Sequence, residues 1–403
     1  MAQKYIIYAI NVEVNMGYEV ILKRGEEKRI LAGHPWVYAN EVQRIDGRDR
    51  NGSLAIVKAQ DGRYIGKGYI NHLSKILVRI FIRDDSIDTE EYYLNALTEA
   101  KNLRESLGYK NNYRLVFAEA DNLPGLVIDK YADYFVIQCM SLGIDQRKQM
   151  IVDCLVKLFN PKGIYERSDA QVRTKEGLQP FSGLLSGEVP DEIIIKENGI
   201  KMSVDVKNGQ KTGYFLDQKE NRYAIRRYAK DKSVLDCFCN SGGFSMNAAL
   251  TAKSVKAVDI SETALNTVKR NIELNGYKNV ETLEGDVFKI LRDEKQTGTK
   301  YGMVILDPPA FCKSVNEVKD ALKGYKDINI LGMKLVEKGG FLVSSSCSHF
   351  VTMQMFMQML TDASRESGKR IRVLEIKTQA PDHPSLLADE ETSYLKFVIM
   401  QVL

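Results

Sequence analysis

The sequence predicts an α/β protein: a doubly wound sheet in the C-terminal half, preceded by two smaller folded regions. Three observations carry this. From residue 191 onward, after an opening hairpin, apolar strands alternate with helices: "SVLDCFC", "VKAVDI", "VETLEGD", "YGMVILD" and "GFLVSSSC" are strands with helical sequence between them. Repeated strand–helix units build a parallel sheet covered on both faces. Two more strands, "IRVLEIK" and "YLKFVIMQVL", bring the count to seven and are expected to close the sheet as an antiparallel pair. Before residue 86 the pattern is different, with short strands and Gly, Asn and Asp clusters, which predicts a small β barrel or sandwich. Finally, 403 residues exceed one compact core, so two or three domains are expected.

In chain order, residues 1–17 read as an extension and strand-like sequence starts at Tyr18. "YEVIL", "LAIVKA", "YIGKGYI" and "KILVRIF" are the strands of a first domain spanning 1–85. Its charge is biased: Ile21 to Arg83 holds 13 Lys and Arg against 6 Asp and Glu, whereas the whole chain carries only +4. A basic module on a near-neutral chain points to a polyanion, with a solvated β surface as the plain alternative. A central α+β domain, 86–190, opens with a helix whose Asp88 and Glu91 have capping-box spacing and whose stop is Gly108. Strands in "YRLVFAEADNLPGLVIDKYADYFVIQC", a helix around Gln146 to Leu158 and the strand "GIYERSD" follow. The third domain, 191–403, begins with a hairpin turning at Asn198-Gly199. Within it, one helix has Ser261 as N-cap, Leu265, Val268 and Ile272 on one face, and Gly276 as its stop.

Composition excludes several classes. No segment approaches the ~20 apolar residues of a membrane span, and the N-terminal stretch lacks the pattern of a signal peptide. Six cysteines are scattered, no CxxC pair exists and the four histidines do not cluster, which argues against zinc and against a disulfide framework. A reducing cytoplasm is the expected setting.

Chemistry gathers at the strand ends. Asp236, Asp259, Asp286 and Asp307 sit at or just after four consecutive strands, where a doubly wound sheet keeps its binding crevice. After Asp236 comes "CFCNSGGFS": Gly242 and Gly243 permit close backbone approach and a helix starts there. The dinucleotide glycines of G-x-G-x-x-G are absent, which makes a dehydrogenase a poor fit. Asp259 lies where an acid can accept from both ribose hydroxyls, and Asp286 could meet an adenine edge. Each acid could instead be a helix cap or a turn. In "LDPPAF", Pro308 and Pro309 fix a stiff turn that holds Asp307 at its edge and offers Phe311 as a stacking ring, a platform suited to a nucleobase. "KGGFLVSSSCSHF" ends a buried strand on Cys347 among small hydroxyl residues, an odd setting for an inert core thiol.

These sheet motifs resemble a class I S-adenosylmethionine-dependent methyltransferase. "LAGHPWVYANEV" resembles the opening of a PUA RNA-binding domain. Together with "AEADNLPGLVID", "ERSDAQVRTKEGL", "KTGYFLDQKENR", "LDPPAF" and "SSCS", their order resembles one family over nearly the whole chain: the PUA-containing ribosomal RNA cytosine-5 methyltransferases acting on the large-subunit (23S) RNA. The resemblance implies S-adenosylmethionine as cofactor, placed over Ser241, Gly242, Gly243 and Phe244, with Phe215, Asp217, Gln218 and Arg222 closing the site. It also implies large-subunit ribosomal RNA as partner, with no membrane and no metal; a homodimer is left open. Cys347 is then the nucleophile that adds to carbon 6 of cytosine, with Asp307 managing the ring nitrogen. Pro308, Pro309 and Phe311 face the substrate. Cys312 is expected to be a bystander or a substrate-side wall, because Ala310 stands where many relatives carry a second cysteine. His349 is a weak candidate for the base. Two other readings remain: methylation of an exocyclic base nitrogen, which needs no thiol, and a non-catalytic RNA-binding factor, against which the intact glycines, acids and cysteine argue.

Overall fold

The computed structural model describes residues 18–47, 50–312 and 314–403. The expected N-terminal extension lies outside them. Three sheets follow one another along the chain, with a two-stranded hairpin between the second and third.

The first sheet has six strands. Four are those read from the sequence; Trp36–Tyr38 and Val42–Asp46 are added, and a short helix, Glu27–Leu31, lies between the first two strands. Val20, Leu22, Val37, Val57, Ile70 and Val78 form the core of this module. Trp36 is not spent in that core. Its ring Nε1–H donates to Glu119 of the second region at 2.9 Å, and Arg79 bridges Glu119 and Glu176 at 3.0 Å each. The β module is therefore clamped to its neighbour by largely buried charge.

The second sheet has five strands. Helix Glu90–Ser106 covers it, burying Tyr93, Leu97 and Ala100 against Leu115, Val116 and Ile128. Its cap falls one residue later than the spacing suggested: Thr89 accepts from the Tyr92 amide. Asp88 instead accepts from the Tyr93 hydroxyl and from Arg147, both at 2.6 Å. The helix expected around 146–158 is two pieces, Leu142–Gln146 and Lys148–Phe159. Strand Phe181–Gly187 was not foreseen because its Gly and Ser content reads as turn; it is an edge strand paired with Gly163–Ser168.

In the third sheet we label the strands β1 (Ser233–Cys237), β2 (Ser254–Asp259), β3 (Val280–Glu284), β4 (Tyr301–Leu306), β5 (Val336–Ser346), β6 (Ile371–Lys377) and β7 (Lys396–Val402). Their order is 3-2-1-4-5-7-6. β1 to β5 are parallel, and β7 runs antiparallel to both β5 and β6. All six residues of β4 are buried, as a strand covered on both faces requires. Ser261 caps its helix by accepting from Ala264, and Gly276 ends it with φ +67°. The order reverses beside β1, so the crevice opens at the carboxyl ends of β1 and β4.

The central sheet braces this crevice. Asp129 accepts from the Thr212 hydroxyl at 2.6 Å, and the Tyr131 hydroxyl donates to the Tyr214 carbonyl at 3.1 Å. Lys219 donates to buried Asp382 at 2.6 Å and to the Asn112 carbonyl at 2.9 Å. Breaking one partner of a buried pair leaves the other charge uncompensated. Lys219→Met is expected to destabilise the fold by about 3–5 kcal/mol, read by urea unfolding; a loss under about 1 kcal/mol would show that Asp382 is adequately satisfied without it.

Candidate active site

A cleft of about 260 Å³ lies over the carboxyl ends of β1 and β4. One wall is the loop after β1. Phe238 (φ +61°), Asn240 (φ +48°) and Gly242 (φ +78°) all lie in the left-handed region, a cluster of strain of the kind that persists at functional sites. Gly243 starts a helix, Gly243–Ala249, and a Cβ there would stand 2.7 Å from Arg222 Cδ. The absence of a side chain there lets Arg222 pack directly against the helix start. The carboxylate of Asp259, at the end of β2, accepts from the Asn240 amide and the Ser261 amide at 2.9 Å each. It thereby fixes the loop and stays half-buried at the cleft wall.

A second wall is the segment after the hairpin. Arg222 binds Glu197 through two hydrogen bonds of 2.7 Å and donates to the Phe215 carbonyl at 2.9 Å. Its charge is committed, so its role in the cleft is to hold the chain. Asp217 accepts from the Tyr394 hydroxyl at 2.5 Å. Burial alone would raise its carboxyl, but Lys211, His383 and the Tyr394 bond outweigh that and hold it below the usual range.

The third wall joins β4 and β5. Asp307 accepts from Ser345 and, at 3.1 Å, from the Gln218 side chain. Burial pushes its carboxyl up to about 6 despite the Ser345 bond. Cys347, one residue past β5, lines the same cleft as Asp307, Pro308 and Pro309. Burial raises its thiol, with Asp307 and Asp217 adding to the rise while Lys211 and Lys396 oppose it.

Of the residues picked out by sequence, the cleft gathers Phe215, Asp217, Gln218, Arg222, Ser241, Gly243, Phe244, Asp259, Asp307, Pro308, Pro309 and Cys347. Four others stand outside its lining. Asp236 is fully buried beneath it and accepts from Ser245 at 2.6 Å. Asp286 is exposed and caps the helix Val287–Thr297 through the Phe288 amide. Gly242 packs towards Val268. Phe311, expected to stack on a base, is packed against Tyr325, with ring centroids 4.6 Å apart, because the prolines direct the chain onto the helix Val318–Leu335. Cys312 is buried in the apolar core, and exposed His349 faces Glu391. Lys211, Phe238 and Leu395 line the cleft without having been singled out. The first two lie in loops whose left-handed backbone leaves no signature in residue type.

Cys139, Asp145 and Glu166 offer ligand atoms within 4.8 Å of one another. Lys148 binds Glu166 and Arg173 binds Asp145, so this charge is already balanced by cations.

A sheet of order 3-2-1-4-5-7-6 with a glycine cradle after β1 and an acid ending β2 defines a methyltransferase that uses S-adenosylmethionine. Residues 173–392 match the S-adenosylmethionine-dependent methyltransferase family, and residues 20–83 match a PUA-like domain. Ribosomal RNA large subunit methyltransferase I of Aliivibrio fischeri (strain MJ11) is 40% identical over 390 residues, covering 94% of this chain and 98% of its own length. That of Aeromonas salmonicida (strain A449) is 39% identical, covering 96% and 100%. The chain belongs to the ribosomal RNA large subunit methyltransferase I family. A solved structure of a proposed SAM-dependent methyltransferase from Streptococcus mutans shares the fold, with a TM-score of 0.82, 22% identity and coverage of 96% and 100%. A proposed methyltransferase solved in complex with SAH matches to the same degree. Among the described residues no helix is long and apolar enough to cross a membrane.

The residues present fit the cofactor. Ser241, Gly243 and Phe244 line the cleft beside Asp259, whose carboxylate retains lone pairs for ribose hydroxyls. Asp259→Ala is expected to weaken S-adenosylmethionine binding by about 1–3 kcal/mol, or roughly 5- to 150-fold, in calorimetry. Unchanged affinity would remove Asp259 from the cofactor site.

Proposed function

We propose that this chain methylates carbon 5 of a cytosine in large-subunit (23S) ribosomal RNA through a covalent adduct with Cys347. The observation that carries the reading is that Cys347 and Asp307 open into the same cleft as the Gly243 cradle and Asp259. Ser241, Gly243, Phe244 and Asp259 would hold S-adenosylmethionine, with Phe215, Asp217, Gln218 and Arg222 shaping the facing wall. Bound there, the cofactor supplies an electrophilic methyl group.

The protein's own task is to make carbon 5 nucleophilic. The Cys347 thiolate adds to carbon 6, and the ring electrons move so that carbon 5 becomes the end of an enamine. Asp307, with its carboxyl raised to about 6, can hold a proton near neutrality and share it with the ring nitrogen that gains charge. Once carbon 5 carries the methyl group, its proton passes to water, and the C–H electrons re-form the 5,6 double bond as the carbon 6–sulfur bond breaks and releases the Cys347 thiolate. Pro308 and Pro309 give the base a stiff edge, and the small side chains of Ser344, Ser345 and Ser346 leave room for a base edge to reach the sulfur. The basic β module, matched as PUA-like, would hold the RNA backbone.

Ribosomal RNA carrying 5-fluorocytosine tests this. Fluorine blocks the last elimination, so the protein should be trapped on RNA as a denaturant-stable complex attached at Cys347. Absence of any adduct, together with a methylated exocyclic amine in the product, would favour base-amino methylation on the Asp307-Pro308-Pro309 edge.

A further inference from the structure

Lys396 opens β7 directly opposite Ser346 of β5, and Cys347 follows Ser346. Its side chain is buried, at 4% exposure. The ammonium donates to the carbonyl of Ser348 at 2.6 Å and to that of Tyr394 at 2.7 Å. An ammonium has three hydrogens to give, so these two bonds leave one over. Among the described residues no carboxylate pairs with it. Buried cations are ordinarily paired, because desolvation without a counter-charge is costly. The protein avoids that cost readily elsewhere: Lys219 has Asp382 and Arg222 has Glu197.

Lys396 thus lies across the strand pair from Ser346 and holds the carbonyl of Ser348, the residues on either side of Cys347. The thiols of Cys347 and Cys312 are the ionisable groups that act on it. Cys312 lies in the apolar core, whereas Cys347 opens into the cleft. We propose that Lys396 is the counter-charge of the Cys347 thiolate, a positioning residue that pins the turn after β5 and stabilises the sulfur anion that attacks the base. The proposal rests on the covalent reading of Cys347 given above.

Electrostatics agrees with the geometry. The charged groups facing Cys347 are Lys211, Asp307, Asp217 and Lys396; the two acids disfavour a thiolate and the two lysines favour it. Lys211 is exposed at the rim, where water and salt weaken its field. Lys396 is buried and held by the Ser348 and Tyr394 carbonyls, so its position beside the turn that carries Cys347 is fixed. Burial lowers its own ammonium to about 8, so at neutral pH it is charged and can serve as the partner.

The test is the pH dependence of Cys347 alkylation by iodoacetamide, read by peptide mass spectrometry on the full chain without RNA. In Lys396→Met the midpoint should rise by about one pH unit or more, and Lys396→Arg should restore part of the shift. Lys396→Gln, which keeps a donor for the Ser348 carbonyl, is a second neutral variant. Calorimetry with S-adenosylmethionine reports that each protein is folded. A residue that only pins the turn would change the extent of labelling without moving its midpoint. An unmoved midpoint in either folded neutral variant overturns the proposal. So does loss of cofactor binding in both, which would assign Lys396 to folding alone. Survival of methyl transfer in Cys347→Ala would overturn the covalent reading instead, and the alkylation result is independent of it.

Discussion

Replacing Cys347 by alanine is expected to abolish methyl transfer while leaving S-adenosylmethionine affinity nearly unchanged. The side chain lines the cleft and is only partly buried, so the fold should tolerate the change. Without the thiolate, carbon 5 of cytosine is a poor nucleophile. The loss in kcat/KM should be on the order of 1000-fold or more, equivalent to about 4 kcal/mol of transition-state stabilisation. Cys312→Ala is the control: its thiol lies in the apolar core, outside the cleft lining, so substantial activity should remain. Near wild-type turnover in Cys347→Ala would remove the thiol mechanism and leave the base-amino alternative.

The second large effect concerns stability. Asp236 lies fully buried below the cleft with one carboxyl oxygen lacking a hydrogen-bond partner. Burial pushes its carboxyl up to about 7; Ser245 opposes the rise, and Asp307 and Asp259 add to it. In the unfolded chain the same group titrates near 3.8. Between these values the folded protein binds more protons than the unfolded one. Its stability must therefore fall as pH rises from about 4 to 7, then level off. Asp236→Asn removes this slope. The variant should match the wild type near pH 4 and exceed it at pH 8 by roughly 4 kcal/mol, from about three pK units at 1.36 kcal/mol each. Urea unfolding across that range measures it. A difference that stays constant with pH would mean that Asp236 does not carry a proton near neutrality.

The alternation of strands and helices in the third region was legible because apolar periodicity reports burial directly. The Ser261 cap and the Gly276 stop were legible because local backbone chemistry decides them. Short elements were not: Glu27–Leu31 and Phe181–Gly187 owe their form to neighbours rather than to their own residues. The strand-end acids show the limit for the site. All four end up at strand ends, but sequence spacing does not say which way each side chain turns. Asp259 and Asp307 face the cleft, Asp236 is sealed under it, and Asp286 caps a helix. Phe311 packs against Tyr325, a contact the sequence did not indicate, since two prolines fix a turn without revealing its direction. Lys396 gave no signal, because its sequence partners are a serine and a cysteine some 50 positions away.

The bonds from Asp129 to Thr212 and from Tyr131 to Tyr214 make the central sheet part of the cleft's foundation. Binding free energy gained at the cleft is therefore shared with a hairpin, Asn112–Tyr131, that lines none of it. In thermodynamic terms the two regions are linked: a ligand that favours the ordered 212–222 segment must also oppose opening of that hairpin. Amide hydrogens there should exchange more slowly when S-adenosylmethionine is bound, at a distance from any atom of the cofactor. A catalytic fragment cut at residue 191 would lack this support, and would hold the chemical groups without the rigidity that aims them.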